Sequence, residues 1–470
     1  MWNTLTHHQH FHDIHEQPPL FGHVLNAFLT TIIVTLALGT AFVLYCRWRY
    51  PEPHLNWSEV DTESTSFPPD FLWGAATAAH QVEGGLHNNW SVFEESRGLE
   101  KSGEACDHWN RWEEDFEMLS ELGLTTYRFS IEWSRLEPEP GKWDSEPLQV
   151  YSDMVDDLLN RGIRPVVTLH HFSHPAWWED RGGFAKKENL PEFIAYCERV
   201  FEALSDRVEV WCTINEPTVF SSMGYTLGQF PPGHRSIRQT LRIMRNLMHA
   251  HAALYASLKS RRPDASIGVA KNVTLFDPLN RWSPIDWAVA RLLEWLWSGA
   301  WQRGILSGRM LGSSVSGSKN SLDFIGLNYY THFLTGLFMP TTGELAFARR
   351  ENEVPTEFGY PMYAEGFRRA IERVSALNVP IEITENGVAD SNDDLRPEHL
   401  ARHLWILSEA IRDGYDIKSF HHWSLMDNFE WAEGYSMRFG LYRVNFDTQE
   451  RTLRPSGEIY QKIIKSHAKI

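Results

Sequence analysis

The sequence predicts an α/β protein, a single (β/α)8 TIM barrel preceded by one transmembrane helix. Eight short apolar runs rich in β-branched residues recur over about 400 residues. Each is followed by a segment with helical spacing, the pattern expected of parallel strands buried on both faces. The runner-up, a doubly wound open sheet, normally carries a Gly-rich phosphate loop after its first strand, and none is present. Ahead of the first run, Gln17 through Cys46 contains no Asp, Glu, Lys or Arg.

From the N-terminus, residues 1–22 form a His-rich tail. His7, His8, His10, His12 and His15 could hold a metal ion, but no carboxylate or thiol cluster completes a site, and a disordered terminus is the simpler reading. Residues 23–46 form the transmembrane helix, since Val24 to Cys46 is almost wholly apolar and long enough to cross a bilayer. A cleaved signal peptide would start basic and carry a shorter apolar stretch. Arg47 and Arg49 follow the span and no Lys or Arg precedes it. The positive-inside rule therefore places the C-terminal bulk of a single-pass membrane protein on the cytoplasmic side. Cys46, beside the span, is a conceivable palmitoylation site. Residues 47–66, with Pro51, Pro53, Asp61 and Glu63, read as a polar linker, and the barrel domain occupies 67–470.

Within the barrel the expected strands are Phe71–Ala76, Thr126–Ile131, Pro165–Leu169, Val208–Thr213, Ser266–Ala270, Phe324–Asn328, Pro380–Thr384 and Ile417–His421. Between them, Trp112, Phe116, Leu119 and Leu122 recur at helical spacing. So do Tyr151, Val155, Leu158 and Leu159, and then Phe193, Cys197, Val200, Phe201 and Leu204. Gly123, Gly162 and Gly414 fall near helix ends, where positive φ is useful.

Composition narrows the function. A net charge of -17 argues against nonspecific nucleic-acid binding. Of the 20 Trp residues most read as core and interface packing, and several others could serve as sugar-stacking platforms. Cys106, Cys197 and Cys212 have no metal spacing and read as reduced, buried thiols. Asn56, Asn89 and Asn272 head glycosylation tripeptides, a pattern that also arises by chance.

The chemistry concentrates in two strings, Thr213-Ile214-Asn215-Glu216-Pro217 and Ile383-Thr384-Glu385-Asn386-Gly387. Each sets a carboxylate at the end of an apolar strand, after strands four and seven, on the rim where a barrel's βα loops converge. A lone Glu there is usually surface charge or a structural ion pair. Two carboxylates facing one pocket can divide acid and nucleophile roles, as cleavage of a glycosidic bond requires.

Four further strings resolve the reading: Phe71-Leu72-Trp73-Gly74-Ala75-Ala76 running on to His80-Gln81-Val82-Glu83-Gly84; Tyr127-Arg128-Phe129-Ser130-Ile131-Glu132-Trp133; Asn328-Tyr329-Tyr330; and Trp423-Ser424-Leu425-Met426-Asp427-Asn428-Phe429-Glu430-Trp431. With the two carboxylate motifs, in this order, the chain from about Phe67 onward resembles glycoside hydrolase family 1, the β-glucosidase family. The resemblance implies a retaining β-glycosidase acting on terminal nonreducing β-D-glycosyl residues. It implies Glu385 as nucleophile, Glu216 as acid/base, and Arg128, Tyr330 and Asn215 as their support. It also implies a sugar-binding wall of Gln81, His171, Asn215, Asn328, Trp423, Glu430, Trp431 and Phe439, with no metal or organic cofactor. Glu430 would repel a phosphate, and Met437-Arg438-Phe439 does not complete a phosphate cluster, so a neutral sugar is expected. The family often has His-Trp after strand three where this chain has His171-Phe172, which leaves glucose against galactose or fucose open. Neither Trp297 to Trp301 nor the 338–357 loop fixes the leaving group, so the expected partners are a small β-glycoside or a glycolipid. A transglycosylase that remodels glycolipids at a membrane surface would use the same residues.

Overall fold

The computed structural model describes residues 20–337 and 347–467, with side chains from His23 onward; the His-rich tail and part of the 338–357 loop fall outside them. Eight parallel strands close a barrel in sequence order: β1 (Leu72–Ala76), β2 (Thr126–Ser130), β3 (Arg164–Thr168), β4 (Val210–Asn215), β5 (Ser266–Asn272), β6 (Phe324–Asn328), β7 (Ile381–Asn386) and β8 (Ile417–Trp423). Every expected strand is found. β4 and β7 run two residues further than their apolar patterns, because the barrel ladder continues into the polar motifs. The backbone N–H of Asn215 donates to His170 O (2.8 Å) and that of Glu216 to Ala270 O (2.8 Å).

The outer helices are α2 (His108–Leu122), α3 (Glu146–Asn160), α4 (Leu190–Leu204), α5 (Ile237–Arg261), α6 (Pro284–Glu294), α7 (Ala364–Ser375), α8 (Arg396–Arg412) and α9 (Pro455–His467); α1 (Leu20–Arg49) precedes the barrel. Their apolar stripes face the strands. On α4, Phe193, Cys197, Val200, Phe201 and Leu204 are all buried, each large side chain contributing about 1.5–3 kcal/mol. On α3 the buried stripe is Tyr151, Met154, Val155 and Leu158, whereas Leu159, expected inside, is 39% exposed. A helix turns 100° per residue, and position 159 falls just past the edge of that stripe. Gly123 ends α2 in the left-handed region, φ 75°.

Val166, Val210, Cys212, Ala270 and Phe324 form a small separate core inside the barrel. The fork of Arg164 closes on Glu382 near the opposite end of the strands from the motifs (3.1 and 2.7 Å). The barrel is thus filled below the carboxylate motifs, which open onto its C-terminal mouth.

The segment before the barrel is more tightly bound than its composition suggested. α1 is apolar and largely exposed, long enough to cross a membrane, and it continues past residue 46 to Arg49. Its C-terminal turns dock on α6, where Val43 and Cys46 bury against Trp287. The Cys46 thiol is therefore covered by protein, which removes the attachment point for a lipid chain. Residues 50–66 form a strap rather than a loose linker. Arg350 donates through Nε and Nη2 to both oxygens of the buried Glu52 (2.7 and 2.8 Å). Leu55 N and Trp57 Nε1 donate to Glu365 (2.7 and 3.1 Å), and Tyr363 Oη donates to Pro53 O (2.9 Å). Of the three glycosylation tripeptides, Asn89 and Asn272 are buried and only Asn56 is exposed.

Candidate active site

Every site residue named from the sequence lies at or after the C-terminal end of a barrel strand, apart from Arg128, which projects from the middle of β2. Glu216 follows β4 with φ 43° and ψ 61°, a left-handed conformation that costs a non-glycine residue about 1–3 kcal/mol. Pro217 comes next and starts the helix Pro217–Ser222, where its fixed φ suits the first turn. The end of β4 is irregular: Cys212 pairs Gly268 but Asn215 pairs Ala270. β7 is bulged in the same way, Ile383 pairing Leu327 and Glu385 pairing Asn328. An inserted residue breaks strict alternation and re-aims the side chains beyond it. Gly387 is obligatory in the second motif, since a Cβ there would lie 1.8 Å from Trp423 O of β8.

The side chains converge on one network. The fully buried Arg128 donates to Glu385 Oε1 (2.6 Å), Asn215 Oδ1 (2.7 Å), Thr168 Oγ1 (3.0 Å) and Thr384 O (3.3 Å). Tyr330 Oη donates to the other carboxylate oxygen, Glu385 Oε2 (2.7 Å). Asn328 Nδ2 donates to Glu216 Oε1 (2.8 Å) and Asn215 Oδ1 (3.2 Å), and Thr384 Oγ1 donates to Asn328 Oδ1 (2.6 Å). The two carboxylates therefore share a short polar chain, but only Glu385 is held by a guanidinium.

That asymmetry sets their proton affinities. Burial, and then the charge of Glu385, push Glu216 up to about 7, against the bonds from Asn328 and Asn272. Burial also raises Glu385, but Arg128 and the Tyr330 hydroxyl pull it back. Burial pushes Glu430 up to about 8, with Glu385 the next contributor. The phosphate-repelling charge expected on Glu430 is thus weakened near neutral pH.

The remaining wall residues gather on the β8 side. His171 stacks between Trp423 (5.7 Å, 29°) and Trp431 (5.9 Å, 22°). Its Nε2 accepts from Asn215 Nδ2 (2.9 Å), which assigns the ring hydrogen to Nδ1. Gln81 Nε2 donates to Phe429 O (2.8 Å), Asn428 Oδ1 (3.1 Å) and Glu430 Oε2 (3.2 Å). Phe439 meets Tyr330 edge-on (6.2 Å, 84°). Gln81 Oε1 and His171 Nδ1 are buried with no protein partner, one acceptor and one donor left over in the same wall. Buried polar atoms without partners are rare and expensive, so a polar ligand is their natural complement.

Two residues of this site escaped sequence reasoning as chemistry. Asn272 was read only as a glycosylation tripeptide, yet it supports Glu216, and its Oδ1 accepts from Trp297 Nε1 (3.1 Å). Lys271, fully buried beside it, is pushed down by desolvation to about 7, opposed by Glu216. The signal was available: Lys-Asn at the C-terminal end of an apolar strand is the same cue that marked Asn215-Glu216. Away from the mouth, Glu52, His332 and Glu353 have the spacing of metal ligands. His332, however, sits between Asp277 and Glu353 (2.9 Å each), which help raise it to about 9. Arg369 pairs with Asp277 (2.7 Å) and Arg350 with Glu52 (2.7 Å), so the cluster is part of a buried ion-pair network.

Residues 63–469 match the model of glycosyl hydrolase family 1. Beta-glucosidase A of Thermotoga maritima is 34% identical over 439 residues, 85% of this chain and 98% of its own length. Beta-glucosidase A of Acetivibrio thermocellus is 33% identical over 449 residues, 86% of this chain and 99% of its own. Among solved structures, the beta-glycosidase from Pyrococcus horikoshii matches with a TM-score of 0.80 at 36% identity, over 86% of this chain and 96% of that one. The Thermotoga maritima beta-glucosidase in complex with glucoimidazole matches with a TM-score of 0.80 at 32% identity, over 86% and 100%. The match covers the barrel and leaves α1 outside. The chain belongs to glycosyl hydrolase family 1 and is a glycosyl hydrolase of the β-glucosidase type.

Proposed function

We propose that Glu385 is the nucleophile and Glu216 the acid/base of a retaining double displacement on terminal nonreducing β-D-glucosyl residues, with β-galactosyl and β-fucosyl residues as further substrates. One observation carries the assignment: two buried carboxylates of one polar network lie in opposite surroundings. Arg128 and Tyr330 occupy both oxygens of Glu385 and favour its anion, while burial keeps Glu216 protonated up to about pH 7. Glu385 attacks the anomeric carbon as Glu216 gives its proton to the leaving oxygen. Glycosylation removes the charge on Glu385, the acidity of Glu216 rises, and Glu216 then takes a proton from the incoming water.

The wall supplies orientation. Asn215 spends one Nδ2 hydrogen on His171 and keeps the other for the sugar 2-hydroxyl, whose contacts strengthen in the transition state. Gln81 Oε1, His171 Nδ1 and Glu430 meet the remaining hydroxyls, and Trp423 provides the stacking platform, with Asn328, Trp431 and Phe439 completing the enclosure. Arg438, in the Met437-Arg438-Phe439 string, lies over the Phe446 ring (4.5 Å), which favours a neutral sugar. Hydrolysis rather than transfer is favoured by the β-glucosidase relatives.

The same reading makes α1 a single-pass anchor with the barrel on the cytoplasmic side, held by Arg47 and Arg49. The unbroken helix through Arg49, docked on the barrel, supports an anchor over a cleaved signal; resistance of the full chain to alkaline extraction from membranes would test it. For the chemistry, Glu216→Ala with azide and an activated aryl β-glucoside should regain turnover and release a β-glucosyl azide. An α-glucosyl azide would overturn retention.

A further inference from the structure

Resting on the anchor reading, we propose that the outward face of α6 seats in the headgroup boundary of the bilayer that α1 enters, so that the Glu216 side of the pocket takes the β-linked sugar of a glycolipid directly from the membrane. Ile285, Ala288, Leu292 and Trp295 recur at i, i+3, i+7 and i+10, one face of a helix that runs on into the turn Trp295–Gly299. Among the described residues that face is open: Ile285 is 53%, Leu292 56% and Trp295 42% exposed. It carries no charge. A soluble barrel normally shows water a polar face on its outer helices, so an apolar one marks a contact.

The occupant follows from what α6 already touches. Its inner residue Trp287 packs on Val43 and Cys46, and Pro284 lies against Gly39. A bilayer core takes about 20 helical residues. Counted from Val24, the first residue of the apolar run, that many end at about Val43. At about 1.5 Å per residue, Gly39 then lies about 6 Å inside the edge of the hydrocarbon. The start of α6 is carried to that depth with it, the depth at which interfacial helices rest. The flanking groups suit a boundary: Arg47 lies over the exposed Trp282 ring (4.0 Å) and Arg291 over Tyr50 (4.2 Å), aromatic bodies with polar ends.

The same element reaches the chemistry. Trp297, in the turn that ends α6, donates to Asn272 and accepts through its carbonyl from Thr218 Oγ1 (2.9 Å), two residues after Glu216. A membrane seat on α6 thus adjoins the residues behind the acid that protonates the leaving oxygen. In the reaction, the bond from C1 to the lipid oxygen breaks, Glu216 gives that oxygen its proton, and Glu385 forms the new bond to C1. Water then displaces Glu385, yielding free sugar and the lipid alcohol.

The test uses the full chain in phosphatidylcholine vesicles, with and without β-glucosyldiacylglycerol. All four native cysteines are buried, so a cysteine placed at Leu292 can be labelled selectively with an environment-sensitive fluorophore, with one at Val92, exposed elsewhere on the barrel, as control. The Leu292 label should turn blue and be quenched by brominated lipid, and the Val92 label should not. An Ile285→Glu/Leu292→Glu variant should keep its kcat/KM on a soluble aryl β-glucoside and lose at least about tenfold on the vesicle glycolipid, about 1.4 kcal/mol. If the chain floats with vesicles but the Leu292 label stays in water, or the charged variant hydrolyses both substrates like the parent, this seat is wrong and the anchor stands. If the chain fails to float, the anchor itself is wrong and the seat falls with it.

Discussion

Replacing Glu216 with Gln should make the protein more stable at alkaline pH while removing its acid. Folding raises the Glu216 carboxyl from its ordinary 4.5 to about 7. Between these values the folded protein holds a proton that the unfolded chain has released, so stability falls as pH rises through the window. The loss saturates above pH 7 at about 3 kcal/mol, taking 1.36 kcal/mol for each pH unit between the two values. Gln is nearly isosteric, keeps an oxygen for Asn328 Nδ2, and carries no titrating charge. Urea unfolding followed by Trp fluorescence should therefore show no gap between variant and parent near pH 4.5. By pH 8 the variant should lead by up to about 3 kcal/mol. The kinetic counterpart comes from the parent. At pH 8 only about a tenth of Glu216 is protonated, so kcat/KM on an alkyl β-glucoside should fall along an alkaline limb centred near pH 7. A dinitrophenyl glucoside, whose leaving group needs no proton, should lose that limb. A stability gap of opposite sign, a gap independent of pH, or an alkaline limb beyond pH 9 would refute the placement of Glu216 as a buried acid raised by burial and by Glu385.

Tyr330→Phe removes the bond to Glu385 Oε2, which favours the anion. The acid limb of kcat/KM should move to higher pH, with kcat/KM down about 10–100-fold at the optimum. An acid limb that stays in place would show that Tyr330 is a spectator. Arg128→Lys cannot reach four acceptors with one ammonium. Thermal and urea unfolding should report a loss of about 3 kcal/mol or more, together with loss of turnover. Glu430→Gln removes an anionic acceptor that sugar hydroxyls can induce. Its kcat/KM on aryl β-glucosides should fall about 10–100-fold, mostly through KM, while urea unfolding at neutral pH should show the variant the more stable, since folding raises this carboxyl as it does that of Glu216. Glu385→Gln should leave no turnover on any substrate, and turnover at the parent rate would remove Glu385 as nucleophile.

Much of the architecture was legible because each level of the sequence agreed with the next. The eight strands stood out through β-branched apolar runs, and the packed helices through stripes such as Phe193 to Leu204 on α4. Leu159 misled because a stripe read from apolar identity has no sharp edge. The site was legible through resemblance more than through pattern. His171 beside Phe172 or Gln81 after β1 carries no local mark of function, and Asn272 carried the mark of something else. Lys271-Asn272 could have been recognised by the rule that found Asn215-Glu216, since both are polar pairs closing apolar barrel strands.

By itself the sequence determined the barrel, the order of its strands, the two carboxylates at the C-terminal mouth, and an apolar helix ahead of them, because periodicity and strand-end chemistry are local properties. Only the tertiary structure set the two carboxylates in unequal surroundings. That difference depends on Arg128, from β2, reaching Glu385 and not Glu216, and on strand irregularities that no pattern of side chains announces. It also decided that residues 50–66 are a strap, because Arg350, the partner of Glu52, lies 298 residues away. Charge pairs, bulges and docking are settled by what folding brings together in space, and a sequence records only what is adjacent along the chain.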